Sequence, residues 1–86
     1  MKYLIVMFTS RTDTMRFYSI IKNFNGFCSI VNTPHSLSRS CGISVKIAYN
    51  QFPIAQNLIS RNNFSSFKGI FEVNTTNTND IPRRMF

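Results

Sequence analysis

Residues 3–8 form an unbroken apolar run with polar neighbours, the pattern of a short strand buried on both faces. Thr9-Ser10-Arg11-Thr12-Asp13 then offers helix-capping side chains. Met15, Tyr18, Ile21 and Phe24 recur every third residue, with Phe17 and Ile20 widening the stripe, which predicts an amphipathic helix. Asn25-Gly26 supplies its left-handed stop. Residues 27–32 read as a second strand. Residues 43–49 read as a third, with Ile43, Val45, Ile47 and Tyr49 on one face and Ser44 and Lys46 on the other. Asn50-Gln51-Phe52-Pro53 opens a short second helix, since proline suits a first-turn position. Ile54, Leu58 and Ile59 form its apolar stripe, and Asn62-Asn63 ends it. Residues 64–73 complete the series as a strand with Gly69 at a bulge.

The order strand, helix, strand, strand, helix, strand predicts an α+β fold. It is that of the ferredoxin-like split βαβ unit, a four-stranded antiparallel sheet with two helices on one face. Residues 1–73 make one such domain, and residues 74–86 a polar, flexible C-terminal tail with Met85 or Phe86 as its only anchors. A right-handed crossover makes the first two strands parallel, with the third antiparallel between them. The turn at residues 9–12 and the polar stretch that ends in Cys41 are therefore expected on the same sheet edge.

That polar stretch is unusually long. Thr33-Pro34-His35-Ser36-Leu37-Ser38-Arg39-Ser40-Cys41-Gly42 joins two strands that a hairpin of about 2 to 5 residues would connect. Loops carry function more often than cores do, and a thiol at a loop exit can act as a nucleophile. A free thiol has a pKa near 8.5 and is mostly protonated at neutral pH, so reactivity needs nearby positive charge or a helix start. Arg39 lies two residues from Cys41, and Arg11 opens the neighbouring turn. Gly42 permits close approach, and His35 is a candidate base or hydrogen-bond donor. The competing reading makes Cys41 a small residue at a strand start and His35 an ordinary polar residue. Cys28, in mid-strand, fits a small buried hydrophobe. Whether the two cysteines pair is left open. A metal site from Cys28, His35 and Cys41 lacks a fourth ligand and a recognised spacing.

Composition narrows the partners. At 86 residues the chain buries only roughly 60 to 65% of its surface, so self-association as a homodimer is one expected aid to stability. A 43% apolar content with nine phenylalanines excludes a disordered chain. The formal charge is +7, with Asp13, Glu72 and Asp80 the only acidic residues, which favours anionic partners: an acidic protein surface or nucleic acid. No apolar stretch approaches the ~20 residues that span a bilayer, so no membrane partner is expected. Two cysteines are too few for a secreted disulfide scaffold, and no secretory leader is apparent; a cytoplasmic location follows as the expectation.

The segment from Asn32 to Val45 resembles the hallmark of the selenium/sulfur carrier-like family of small bacterial domains. The shared pattern is a proline, a serine three residues before Cys-Gly, and an apolar strand, here Pro34, Ser38, Cys41, Gly42 and Ile43 onward. His35 stands where the family more often has arginine. The resemblance runs from the first strand to about residue 71. It implies a carrier or accessory protein rather than an enzyme, holding sulfur or selenium as a persulfide or selenyl-sulfide on Cys41. The partner would be an acidic donor enzyme that keeps its own cofactor, so none is expected here. The alternative is a basic binding module for nucleic acid or a protein, resting on the charge and the interleaved Phe and Tyr.

Overall fold

A computed structural model describes residues 2–24, 27–33, 42–74 and 82–86. Among them, β1 (Lys2–Phe8) leads to α1 (Arg11–Ile21), β2 (Cys28–Asn32) and β3 (Ile43–Ala48). A single 3₁₀ turn at Tyr49–Gln51 leads into α2 (Phe52–Arg61), and β4 (Phe67–Asn74) and β5 (Arg83–Arg84) follow. The fold is α+β. Its sheet has five strands in the order β2-β3-β1-β4-β5, with every neighbouring pair antiparallel.

The fifth strand corrects the four-stranded expectation. Arg83 and Arg84 pair with Glu72 and Phe71, and the Arg83 guanidinium sits 3.1 Å from the Glu72 carboxylate. Lys2 reaches the other oxygen of that carboxylate at 3.4 Å, so Glu72 ties β5 and the start of β1 to β4. Met85 and Phe86 then pack against the core, Phe86 meeting the Phe67 ring at 5.9 Å between centroids. Two residues of strand are invisible as a hydrophobic pattern when the pairing is held by backbone bonds and charge.

The core lies between the helices and one face of the sheet. Leu4, Val6 and Phe8 of β1, Val45 and Ile47 of β3, and Ile70 of β4 face Phe17 and Ile21 of α1 and Ala55 and Leu58 of α2. Phe64 joins this cluster from the connection before β4, not from a strand as its sequence suggests, and stacks against Phe8 and Phe17. Burial of Leu4, Val6, Phe8 and the intervening Ile5 and Met7 agrees with a strand buried on both faces.

The α1 stripe is rotated from the expected one. Thr14, Phe17 and Ile21 are buried, whereas Met15 and Phe24 are each 42% exposed. Each helical residue advances about 100°, so strict steps of three fall back about 60° each time and drift by about 120° over residues 15–21, while α1 ends at Ile21, before Phe24 and the expected stop at Asn25-Gly26. Steps of three and four, as in 14, 17, 21, hold one face. Tyr49 likewise leaves its assigned strand face for the 3₁₀ turn, where Gln51 folds back to accept a hydrogen bond from the Ala48 N–H at 2.9 Å.

Gly69 does mark an irregularity. It pairs with Met7 beside the register shift at Met7/Phe8, and its φ of 151° is one that side-chain-bearing residues rarely adopt. An added Cβ would meet the Phe71 ring at 3.0 Å and Arg84 Nε at 3.2 Å. Phe71 thus covers the bare backbone of Gly69 on the face away from the helices.

Candidate functional site

The edge of the sheet where β1 ends carries the start of α1 and the start of β3. Because β1 and β3 are antiparallel, the end of β1 and the start of β3 share that edge. Their last recorded partners are Val6 and Val45. Extending both strands in that register brings Phe8 level with Ile43 and Thr9 level with Gly42. Phe8 pairs with Phe67 on its other side, so Ser66 belongs to the same edge.

The hairpin neck between β2 and β3 is fixed by three contacts. Asn32 pairs with Ile43, the Thr33 N–H donates to the Gly42 carbonyl at 2.9 Å, and the Thr33 and Ser44 hydroxyls lie 2.6 Å apart. Ser44 is otherwise sealed, at 1% exposure, so this contact satisfies a buried hydroxyl. His35, Ser38, Arg39 and Cys41 lie outside the described residues. Gly42 is exposed, and a Cβ built on it would touch nothing within 4 Å. The space beside the first described residue after Cys41 is therefore open.

Arg11 is the first residue of α1 and is exposed. It has no carboxylate partner among the described residues. The helix start itself is closed by its own sequence. Ser10 caps it, its hydroxyl accepting from the Asp13 N–H at 3.0 Å, while Thr14 returns its hydroxyl to the Ser10 carbonyl at 3.0 Å. Asp13 does not complete a capping box onto Ser10. It reaches across to β4's approach, where one oxygen accepts from the Ser66 hydroxyl at 2.7 Å and the Ser66 N–H at 3.2 Å. Ser66 also accepts from the Ser10 N–H at 3.3 Å and through its carbonyl from the Thr9 N–H at 2.8 Å.

This clasp holds the Asp13 carboxyl below its ordinary range. The Ser66 hydroxyl is the main cause; partial burial opposes it, and the Ser66 N–H and the Arg16 charge at 3.7 Å assist. The Asp13 charge also reduces the positive potential that the helix start offers to its surroundings. Arg11 is left without a carboxylate partner among the described residues, as is Lys68 at the start of β4. The Ser10-x-x-Asp13 spacing announces a capped helix start, but nothing in the sequence announces that Ser66, 53 residues on, closes it.

Cys28 is half-buried on β2, packs against the core and carries a free thiol. Among the described residues no three His, Cys, Asp or Glu side chains gather closely enough to hold a metal ion, and no helix is long and apolar enough to cross a membrane.

A family model described as "Putative Se/S carrier protein-like" matches residues 2–72. That is most of the chain, and the protein belongs to this family. No curated protein and no solved structure gives a significant match.

Proposed function

We propose that this member of the Se/S carrier-like family moves sulfur or selenium between partner proteins on the Cys41 thiol. The observation that supports the reading is the sheet edge itself: open space at Gly42 and, at the head of α1, an exposed Arg11 with no carboxylate partner among the described residues. Cys41 precedes Gly42 in the chain, and the proposal is that Arg11 stabilises its thiolate while the open space at Gly42 admits a partner.

The chemistry needs no cofactor on this chain. The Cys41 thiolate attacks the terminal sulfur of a donor persulfide; the new bond joins Cys41 Sγ to that sulfur, the donor S–S bond breaks, and the donor leaves as a thiolate. One sulfane sulfur changes hands and no net electron is gained or lost. An acceptor thiolate then attacks the same terminal atom and Cys41 departs as thiolate. A selenyl-sulfide moves by the same displacement. His35, Ser38 and Arg39 are proposed to flank the sulfur, and the positive charge of the chain to dock an acidic donor enzyme.

Intact-mass measurement after incubation with a cysteine desulfurase and cysteine tests this. Wild type and Cys28→Ser gain one sulfur atom that a thiol reductant removes, and Cys41→Ser gains none. Persulfide on Cys28, or uptake that survives Cys41→Ser, overturns it.

A further inference from the structure

At the opposite end of the sheet, Lys2, Tyr3, Phe27, Lys46, Ala48 and Tyr49 line a cleft of about 210 Å³. Its floor is the start of β1 and the end of β3, which are paired through Tyr3 and Ala48. Phe27 closes one side, held there by its carbonyl accepting from the Ala48 N–H at 3.3 Å. Phe27 is 52% exposed and Tyr49 40%, an unusual cost for rings that a core could have used.

The lysines lie on the rings. Lys46 Nζ is 4.3 Å from the Tyr3 centroid and 5.5 Å from that of Phe27, and Lys2 Nζ is 5.6 Å from that of Tyr49. Lys46 has no carboxylate within reach among the described residues. Asp13 is committed to Ser66 and Arg16 at the far edge, and Glu72 to Lys2 and Arg83. The positive charge of Lys46 is offset only by ring faces, which an incoming ligand can take over while the ammonium turns to a phosphate.

We propose that this cleft binds single-stranded polynucleotide, one base stacking on Phe27 and Tyr3 while Lys46 and Lys2 contact the adjoining phosphates. An acidic peptide would answer the lysines but leave both rings wet. A base with its phosphates answers both, and every base offers a π-face, so the contact is sequence-tolerant. The volume falls below the roughly 300 Å³ of small-molecule pockets, which suits one base of a longer strand better than an enclosed nucleotide. The site is independent of the Cys41 thiol.

The chain has no tryptophan, so Phe27→Trp places the one indole in the cleft, excited selectively at wavelengths where its tyrosines do not absorb. Its fluorescence is expected to fall as unlabelled oligouridylate or oligothymidylate is added, and to stay constant with a duplex of equal length. By fluorescence anisotropy with labelled oligothymidylate, Phe27→Ala weakens binding about 5- to 100-fold, the loss of one stacked base. Lys68→Ala, which removes a charge elsewhere, changes it far less. The logarithmic salt slope, about −1.4 for two single-strand phosphates, falls by about 0.7 in Lys46→Ala. Circular dichroism confirms that each variant is folded, and Cys41→Ser binds as wild type. Equal affinity for duplex, for uridine monophosphate or for polyglutamate, or an effect of Lys68→Ala as large as that of Phe27→Ala, overturns the proposal.

Discussion

Ser66→Ala probes the clasp that closes the α1 start. The substitution removes a hydroxyl that donates to the Asp13 carboxylate at 2.7 Å and accepts from the Ser10 N–H at 3.3 Å, while the Ser66 N–H keeps its bond to Asp13. A hydrogen bond to a charged group contributes about 1.5–3 kcal/mol, and the surviving backbone bond favours the lower part of that range, about 1.5–2 kcal/mol. For a chain of this length each kcal/mol moves Tm by about 4–8 °C, so a fall of roughly 6–16 °C is expected at pH 7. The pH dependence has a fixed sign. The folded Asp13 carboxyl lies below the ordinary value of 3.8. Its contribution is therefore complete above that value and disappears as pH falls through the folded pKa. Urea denaturation from pH 7 down through a series of acid pH values should show the gap between wild type and Ser66→Ala narrowing once Asp13 takes up its proton. A loss under about 0.5 kcal/mol at pH 7, or a gap that persists in acid, would refute the reasoning. Asp13→Asn adds a functional arm. It too lowers stability, but by deleting a negative charge from the edge it should shift the alkylation midpoint of Cys41 to lower pH, whereas Ser66→Ala should not.

Two glycines should respond oppositely. Gly69→Ala meets a φ of 151° and a Phe71 atom at 3.0 Å, and urea midpoints should report a loss of about 1–3 kcal/mol. Gly42→Ala enters open space at a φ that is not positive, and should leave stability within about 0.5 kcal/mol. A large loss there would mean that the neck between Thr33 and Ser44 tolerates no side chain.

Patterns that repeat over short distances were legible in the chain. The apolar run of β1, the alternation of β3 and the proline at the head of α2 each signal their element through local geometry alone, and Gly69 was readable as a bulge. Phase within α1 was not, because Met15, Tyr18 and Phe17 are all apolar. Packing against Phe8 and Phe64 is what selects Phe17 for the core. Phe64 was misassigned for a related reason: its burial comes from Phe8 and Phe17, far away in sequence, not from strand pairing. Strand β5 rests on Glu72 gathering Lys2 and Arg83 across the sheet, which no window of residues displays. Of the site, His35, Ser38, Arg39 and Cys41 lie outside the described residues, and the aromatic-lysine cleft was missed. Its signal was present in Lys46 facing away from Val45 and Ile47, but its rings come from β1 and from the residue before β2.

The two proposed sites are separable because β1 separates them. Its seven residues run from Lys2 and Tyr3 in the cleft to Phe8 at the edge that carries Gly42, six steps of about 3.3 Å, or roughly 20 Å. That exceeds two Debye lengths at physiological salt, so the lysines of the cleft contribute little potential at that edge. The proposed thiol activation therefore rests on cations at that edge, Arg11 among them, and not on the overall charge of +7. The same distance lets a strand occupy the cleft while a protein partner approaches Gly42. Losing Phe27 should therefore spare sulfur uptake, and losing Cys41 should spare polynucleotide binding, so each site stands or falls on its own residues.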